Sequence, residues 1–302
     1  HKWTALKELW RPPKASGPHS FTGQPLESLQ AERAKFMDIW NRSPTPPASW
    51  EAPQDQIDML EQEPIAVEDF LKASRSFPMR TAQTFDGFHP RHFSLLTEAQ
   101  AGTVLKLFQL IERAGAMPRA IRAVVAKLIP KMKAAGLTHR AIGLTASLYR
   151  QWCRCRQAYA RRWEAAHKDP LMGHQSGRSI MELVFVQALR AESSVAAGQR
   201  LHTGYFLWDL QTYYEALSRP KLWQRSSELG FNLAILAIAL NQYGARRFIG
   251  LGALTLDCNY ALRGIAAGCG LATIFVQIYA LPPLRAWRLE HPKVSLTMFI
   301  DD

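Results

Sequence analysis

Two periodicities of apolar and polar residues run along the chain, and together they predict a helix-rich α+β protein. Helical spacing of apolar positions predicts helices over residues 26–40, 66–73, 95–114, 147–164, 179–191, 221–229 and 233–243. In the 95–114 helix the predicted apolar face consists of Leu105, Phe108, Leu110 and Ile111. Short apolar or β-branched runs predict strands over residues 124–131, 140–144, 205–210 and 294–300.

One uncharged stretch, residues 264–284, has the length of a membrane-spanning helix. Gly264, Gly268, Gly270, Pro282 and Pro283 interrupt it. This pattern favours a buried helix between a turn and a proline stop, and we expect no contact with a membrane.

Proline-containing stretches distinguish the N-terminal part of the chain from the rest. Residues 1–64 combine tryptophans with Pro-containing stretches and are predicted to be an N-terminal connector. Residues 65–200 and residues 201–302 contain the remaining predicted helices and strands.

The formal net charge of +12 is concentrated in one segment. Between Glu112 and Glu164 there is no acidic residue, whereas arginine and lysine alternate there with apolar and aromatic residues. A solvated helix face would normally mix both signs of charge. The segment therefore favours a surface for a nucleic-acid backbone, and we assign Arg150, Arg154 and Arg161 to it.

Four cysteines, Cys153, Cys155, Cys258 and Cys269, are too few and too irregularly spaced for a disulfide scaffold or a zinc site. We interpret them as free thiols in a reducing compartment. The expected location is intracellular, and nuclear if the source is eukaryotic.

Carboxylates at the ends of two predicted strands indicate phosphoryl-transfer chemistry. Asp209 follows the apolar run 205–208, and Asp301 and Asp302 follow the run 294–300. Two divalent cations, Mg²⁺ or Mn²⁺, require carboxylate oxygens that converge from separate elements. An aspartate after a strand is more often a turn or cap residue, so only the ordered set supports the metal site.

The order of motifs along residues 80–302 resembles that of retroelement reverse transcriptases, of the non-LTR retrotransposon or group II intron type. Six segments carry the resemblance: Asp86 to Pro90, which is similar to the segment before the fingers; Leu128 to Lys131 with Arg140 to Leu144, similar to "IPK…RPI-L"; Gly173 to Ser179, similar to "GF-x-x-GRS"; Phe206 to Glu215, similar to "D-L-K-K-F/Y-Y/F-D/E"; Gly264 to Cys269, similar to "G-I-x-Q-G-C"; and Phe299 to Asp302, similar to "Y/F-x-D-D".

This resemblance implies the fingers (residues 65–200, with an N-terminal extension) and an incomplete palm (residues 201–302) of a right-hand polymerase. It implies an RNA template, a DNA primer and dNTP as partners, and two Mg²⁺ ions held by Asp209, Asp301, Asp302 and the backbone carbonyl of Leu210. The implied nucleotide contacts are Lys131, Arg140, Tyr214, Ala267 and Gly268. Arg178 joins the arginines assigned to nucleic acid.

Departures from the family pattern keep alternatives open. Ala267 replaces the usual glutamine and Ala141 a proline, which is compatible with a catalytically dead relic that retains a basic RNA-binding surface. An unrelated helical scaffold would have to match six ordered motifs by chance. Because the sequence stops at Asp302, we expect the thumb to be absent and this piece to have little or no activity.

Overall fold

The computed structural model describes residues 25–42, 50–133, 136–173, 175, 179–196, 206–210 and 212–300, with the side chains at 131–137 and 194–196 excepted. The fold is α+β and helix-rich, as the periodicities predict. In chain order the helices and strands are α1 (Pro25–Asn41), α2 (Gln54–Gln62), α3 (Val67–Arg75), α4 (Glu98–Ala114), β1 (Ala123–Lys133), β2 (Gly136–Leu144), α5 (Ser147–Ala166), α6 (Ile180–Ala196), α7 (Tyr213–Ala216), α8 (Arg219–Glu228), α9 (Leu233–Tyr243), β3 (Arg246–Leu251), β4 (Leu254–Tyr260) and α10 (Ala272–Glu290). Short 3₁₀ turns at Pro90–Leu95 and Arg119–Ile121 complete the described elements.

A four-stranded mixed sheet has the order β2-β1-β3-β4. β1 and β2 form the predicted antiparallel hairpin, in which Ile129 pairs with Arg140. β1 also pairs in parallel with β3, with Ala126 opposite Ile249, and β3 pairs in antiparallel fashion with β4. Helix α1 covers this sheet with the buried side chains Leu29, Phe36 and Trp40.

The larger core surrounds α9, whose sequence Leu-Ala-Ile-Leu-Ala-Ile-Ala-Leu is apolar on all sides. A helix of this kind is stable only when neighbours cover every face. Asn232 begins α9, because its Oδ1 accepts hydrogen bonds from the N–H groups of Ala234 and Ile235 at 2.9 and 3.2 Å. Buried residues of the surrounding helices, such as Phe108, Trp152 and Phe275, complete this core.

A buried ion pair ties α4 to α5 inside this core. The Glu112 carboxylate accepts hydrogen bonds from Trp152 Nε1 at 2.8 Å and from Arg156 Nε and Nη2 at 2.7 and 2.6 Å. Arg156 also donates to the Glu63 carbonyl at 2.9 Å, so its guanidinium links α5 to the end of α2 as well. Arg156, although part of the basic segment, therefore stabilises the core and is not free to bind a ligand at the surface.

Two of the predicted strands are wrong. Residues 206–210 have no regular secondary structure, and Leu207 and Trp208 are 100% and 72% exposed. Within the described residues, 294–300 makes only an isolated bridge between Met298 and Met172. An apolar run becomes a strand only when a neighbouring strand completes its hydrogen bonds, and neither segment has such a partner among the described residues.

Residues 264–284 also differ from their prediction, because α10 passes through Pro282 and Pro283 instead of stopping there. Pro283 cannot donate to the carbonyl of Tyr279, four residues earlier. The Arg225 guanidinium of α8 donates to that carbonyl instead. In α4, Leu110 is 59% exposed rather than part of the buried face. None of the helices in the described ranges is both long enough and apolar enough to cross a bilayer.

The buried Arg156–Glu112 pair should be a major contributor to stability. Arg156→Ala leaves the Glu112 carboxylate buried without its guanidinium, which should lower the free energy of unfolding by about 3–5 kcal/mol. Arg113→Ala is the matched control, because Arg113 pairs with Glu61 at the surface and should change stability little. Urea unfolding of the three proteins measures this, and equal effects of the two substitutions would contradict the assignment.

Candidate nucleotide and nucleic-acid site

The β1–β2 hairpin carries one of the predicted phosphate contacts, Arg140. Arg140 lies in β2 opposite Ile129, and its side chain is exposed. Lys131 lies in β1 with its backbone opposite Thr138, whereas its side chain falls outside the described residues. The hairpin thus exists as predicted, and one of its two predicted cationic contacts has a described side chain.

A loop containing Ala267 and Gly268 packs directly on this hairpin. The Gly143 N–H of β2 donates to the Ala267 carbonyl at 2.7 Å. Gly268 has φ +93°, and a Cβ there would lie 3.2 Å from Ile142 Cγ2. Glycine is therefore required at this position by backbone conformation and by close packing on β2. This packing requirement is sufficient to explain Gly268 without any ligand.

The turn around Tyr214 meets the same loop from the other side. The Ile265 N–H donates to the Tyr214 carbonyl and the Gly264 N–H to the Leu217 carbonyl, both at 2.8 Å. Gly264 has φ +81°, and a Cβ there would lie 2.4 Å from the Glu215 carbonyl oxygen. Three segments that are far apart in sequence, namely β2, α7 and the loop 264–269, therefore meet at one junction.

A buried arginine that the sequence analysis missed fixes this junction. Arg219, 2% exposed, donates to the carbonyls of Gly264 at 2.8 Å, Ala261 at 2.9 Å, Tyr243 at 2.8 Å and Arg263 at 3.1 Å. Burial lowers the pKa of Arg219 to about 9. The guanidinium is thus held by carbonyl dipoles and positions the loop that carries Ala267 and Gly268.

Glu215 and Arg247 lie together at the junction. Both line a small cavity that Gly143, Ala266 and Ala267 also line. Burial raises the pKa of Glu215, and the positive charges of Arg247 and Arg140 oppose that shift. Burial lowers the pKa of Arg247 to about 10, and its Nε has no hydrogen-bond partner among the described residues.

The predicted metal ligands are described only in part. Asp209 and Leu210 lie in the exposed segment 206–210, and Asp301 and Asp302 lie outside the described residues. The carboxylate of Asp209 therefore faces solvent, where a hard cation could reach it. Carboxylate and carbonyl oxygens are the donors that Mg²⁺ prefers, so the donor set fits that ion in its chemistry.

Some arginines of the basic segment are paired with carboxylates. Arg113, Arg156 and Arg162 form ion pairs with Glu61, Glu112 and Glu63. Arg178 lies outside the described residues.

Arg150 and Arg154 lie on α5 above the Phe77 ring, with the Arg154 guanidinium 4.6 Å from its centroid. Arg150 donates to the Ala82 carbonyl at 2.7 Å. Partial burial lowers the pKa of both side chains, and the neighbouring charge of Arg161 adds to the effect at Arg154. Arg161 itself is exposed. Positions 150, 154 and 161 share one helix face, which is positively charged.

The segment Asp86 to Pro90 caps α5. The Ser147 N–H donates to Asp86 Oδ2 at 2.6 Å, and Ser147 Oγ donates to the Phe88 carbonyl at 2.7 Å. A carboxylate at a helix N-terminus satisfies a free N–H and stabilises the helix dipole. This motif therefore fixes where the basic helix begins.

Gly264→Ala should disrupt the junction. Both the left-handed φ and the overlap with the Glu215 carbonyl oppose a Cβ at this position. Gly252→Ala is the matched control, because Gly252 also has a positive φ (+58°) but a Cβ there would meet no atom within 4 Å. We expect Gly264→Ala to lose about 1–3 kcal/mol more stability than the control in urea unfolding. Equal losses of stability in the two variants would contradict the prediction, because they would show that the overlap between the new Cβ and the Glu215 carbonyl is relieved without cost.

Glu215 should make stability depend on pH. Its pKa is raised in the folded state above the ordinary value of 4.5, so its stabilising contribution is complete below pH 4.5 and is lost as the pH rises through the folded pKa. Stability of the native chain relative to Glu215→Gln should therefore fall as the pH increases from about 4 towards 7. Thermal unfolding of both proteins across this range measures the difference, and parallel curves would contradict the prediction.

Comparisons with known proteins do not assign the chain to a family. No protein-family model matches the sequence, and no curated protein matches it either.

Proposed function

We propose that this chain contains the fingers and part of the palm of an RNA-directed DNA polymerase of the retroelement type. Such an enzyme transfers a nucleotide from a dNTP to the 3′-hydroxyl of a primer on an RNA template. The observation that carries the proposal is the junction of β2, the Tyr214 turn and the loop 264–269. Residues proposed from sequence alone as nucleotide contacts, Arg140, Tyr214, Ala267 and Gly268, belong to these three segments.

Each residue has a role that its surroundings support. Arg140 is exposed and would neutralise the triphosphate through charge-assisted hydrogen bonds. The carbonyl of Tyr214 is fixed by the Ile265 N–H, and its half-buried ring, which packs against the larger core, would exclude a 2′-hydroxyl by contact. The backbone of Ala267 and Gly268 would support the base pair that forms.

Asp209, with Asp301, Asp302 and the Leu210 carbonyl, would hold two Mg²⁺ ions. When bound, these ions activate the 3′-hydroxyl and stabilise the leaving pyrophosphate. The α5 face of Arg150, Arg154 and Arg161 would contact phosphates of the template or primer, so binding should weaken steeply with salt.

Nucleotide selection tests the proposal. Asp209→Ala should abolish incorporation of every nucleotide, because all substrates need the metals that this carboxylate holds. Tyr214→Ala should instead admit ribonucleotides, because only the 2′-hydroxyl is excluded by the ring. Primer extension on an RNA template with deoxy- and ribonucleotides in parallel measures both effects.

Two matched variants serve as controls for this experiment. Tyr214→Phe keeps the ring and should preserve discrimination, whereas Asp58→Ala removes an exposed carboxylate of α2 and should preserve activity. Unchanged discrimination in Tyr214→Ala would assign that ring to packing. A native protein that binds RNA but neither Mn²⁺ nor nucleotide would favour the relic with an RNA-binding surface.

A further inference from the structure

Two cysteines from distant parts of the sequence lie side by side in the core. Cys153 Sγ of α5 is 3.9 Å from Cys269 Sγ, which ends the loop 264–269. Both are buried, with 1% and 8% of their surface exposed. A disulfide bond has an S–S length of about 2.05 Å, so the sulfurs would have to approach by roughly 1.9 Å. We propose that Cys153 and Cys269 form an oxidative modification site that closes to a disulfide when a small peroxide reaches it.

The surroundings distinguish the two thiols. The Tyr149 hydroxyl lies 3.3 Å from Cys269 Sγ. Burial opposes ionisation of Cys269, but hydrogen bonds from Cys153 and Tyr149 outweigh it and lower the pKa of that thiol. Burial raises the pKa of Cys153 well above its ordinary value. Cys269 is also the more exposed of the pair, so it is the sulfur that reacts first.

The reaction balances with hydrogen peroxide as the oxidant. The Cys269 thiolate attacks one peroxide oxygen, the O–O bond breaks, and the released hydroxide takes a proton to become water, which leaves a sulfenic acid. Cys153 Sγ then attacks the Cys269 sulfur, the S–O bond breaks, and the hydroxyl leaves as a second water with the proton of Cys153. Two thiols are oxidised to one disulfide, and one peroxide is reduced to two waters.

This bond would join α5 to the loop that packs on β2. The linked residues are 116 positions apart, so the cross-link would restrict the unfolded chain strongly. It would also prevent the loop 264–269 from moving away from the basic helix. The proposal does not depend on polymerase activity, because its readout is thiol chemistry.

The other two cysteines provide internal controls. Cys155 Sγ is partnered by Gln151 Nε2 at 3.9 Å, and burial raises the pKa of Cys155 to about 12. Cys258 belongs to the separate core between α1 and the sheet. Cys155→Ser and Cys258→Ser should therefore leave the peroxide reaction unchanged.

Peptide mapping of the complete chain tests the proposal. The protein is treated with hydrogen peroxide, alkylated under denaturing conditions, digested without reduction and analysed by mass spectrometry. We expect two of the four cysteines to resist alkylation after peroxide treatment. The digest should contain a peptide pair cross-linked between Cys153 and Cys269, and this cross-linked pair should disappear when the sample is reduced. The oxidised chain should also unfold at a higher urea concentration than the reduced chain.

Two results would overturn the proposal. One is further oxidation of Cys269 while Cys153 remains fully alkylatable. The other is a disulfide that uses Cys155 or Cys258 at the expense of the Cys153–Cys269 pair. Peptide mapping uses the native sequence, so the test does not require that substituted proteins such as Cys153→Ser or Cys269→Ser fold.

Discussion

The buried guanidinium of Arg219 is the contact on which the arrangement of the candidate site depends. It donates to carbonyls of the segment 261–264 and to the carbonyl of Tyr243 at the end of α9. The carbonyls of 261–264 belong to irregular backbone, which has no ladder of its own to satisfy its hydrogen bonds. With Arg219 in place the segment can remain buried, and the residues that follow it reach β2 in a defined geometry.

Burying an arginine at the junction has an electrostatic cost. Arg219 and Arg247 are both buried, and loss of solvent is the main cause that lowers the pKa of each. Glu215 is the carboxyl whose charge acts to raise the pKa of Arg247. The junction therefore holds the charges of Arg219 and Arg247 close to the Glu215 carboxyl.

The local pattern of apolar residues was sufficient to predict the helices, but it was not sufficient to predict all of the strands. Helix α4 follows from its apolar spacing and from the reciprocal Thr97–Gln100 cap, which are both readable within a few residues. Residues 206–210 carry the same kind of apolar run as a strand, yet strand formation depends on a partner elsewhere in the chain. The β3–β4 hairpin was missed, although its tight turn at Gly252 between two strand-length runs was a usable signal. At the site, the residues implied as nucleotide contacts lie on segments that pack together, whereas Arg219 and Arg247 were indistinguishable in sequence from surface arginines.

The distribution of arginines on α5 bears on what the basic segment does. Arg156 and Arg162 pair with carboxylates that precede the segment, so an interval without acidic residues does not by itself mean an unpaired surface. Arg150, Arg154 and Arg161 occupy a different face, and there the pKa values of Arg150 and Arg154 are lowered because burial and a like charge oppose their ionisation. Both remain charged at neutral pH, since the pKa of arginine begins so far above it. An anionic backbone along this face would relieve that opposition, which is the physical reason why the proposed nucleic-acid contacts are assigned to this face rather than to Arg156 and Arg162.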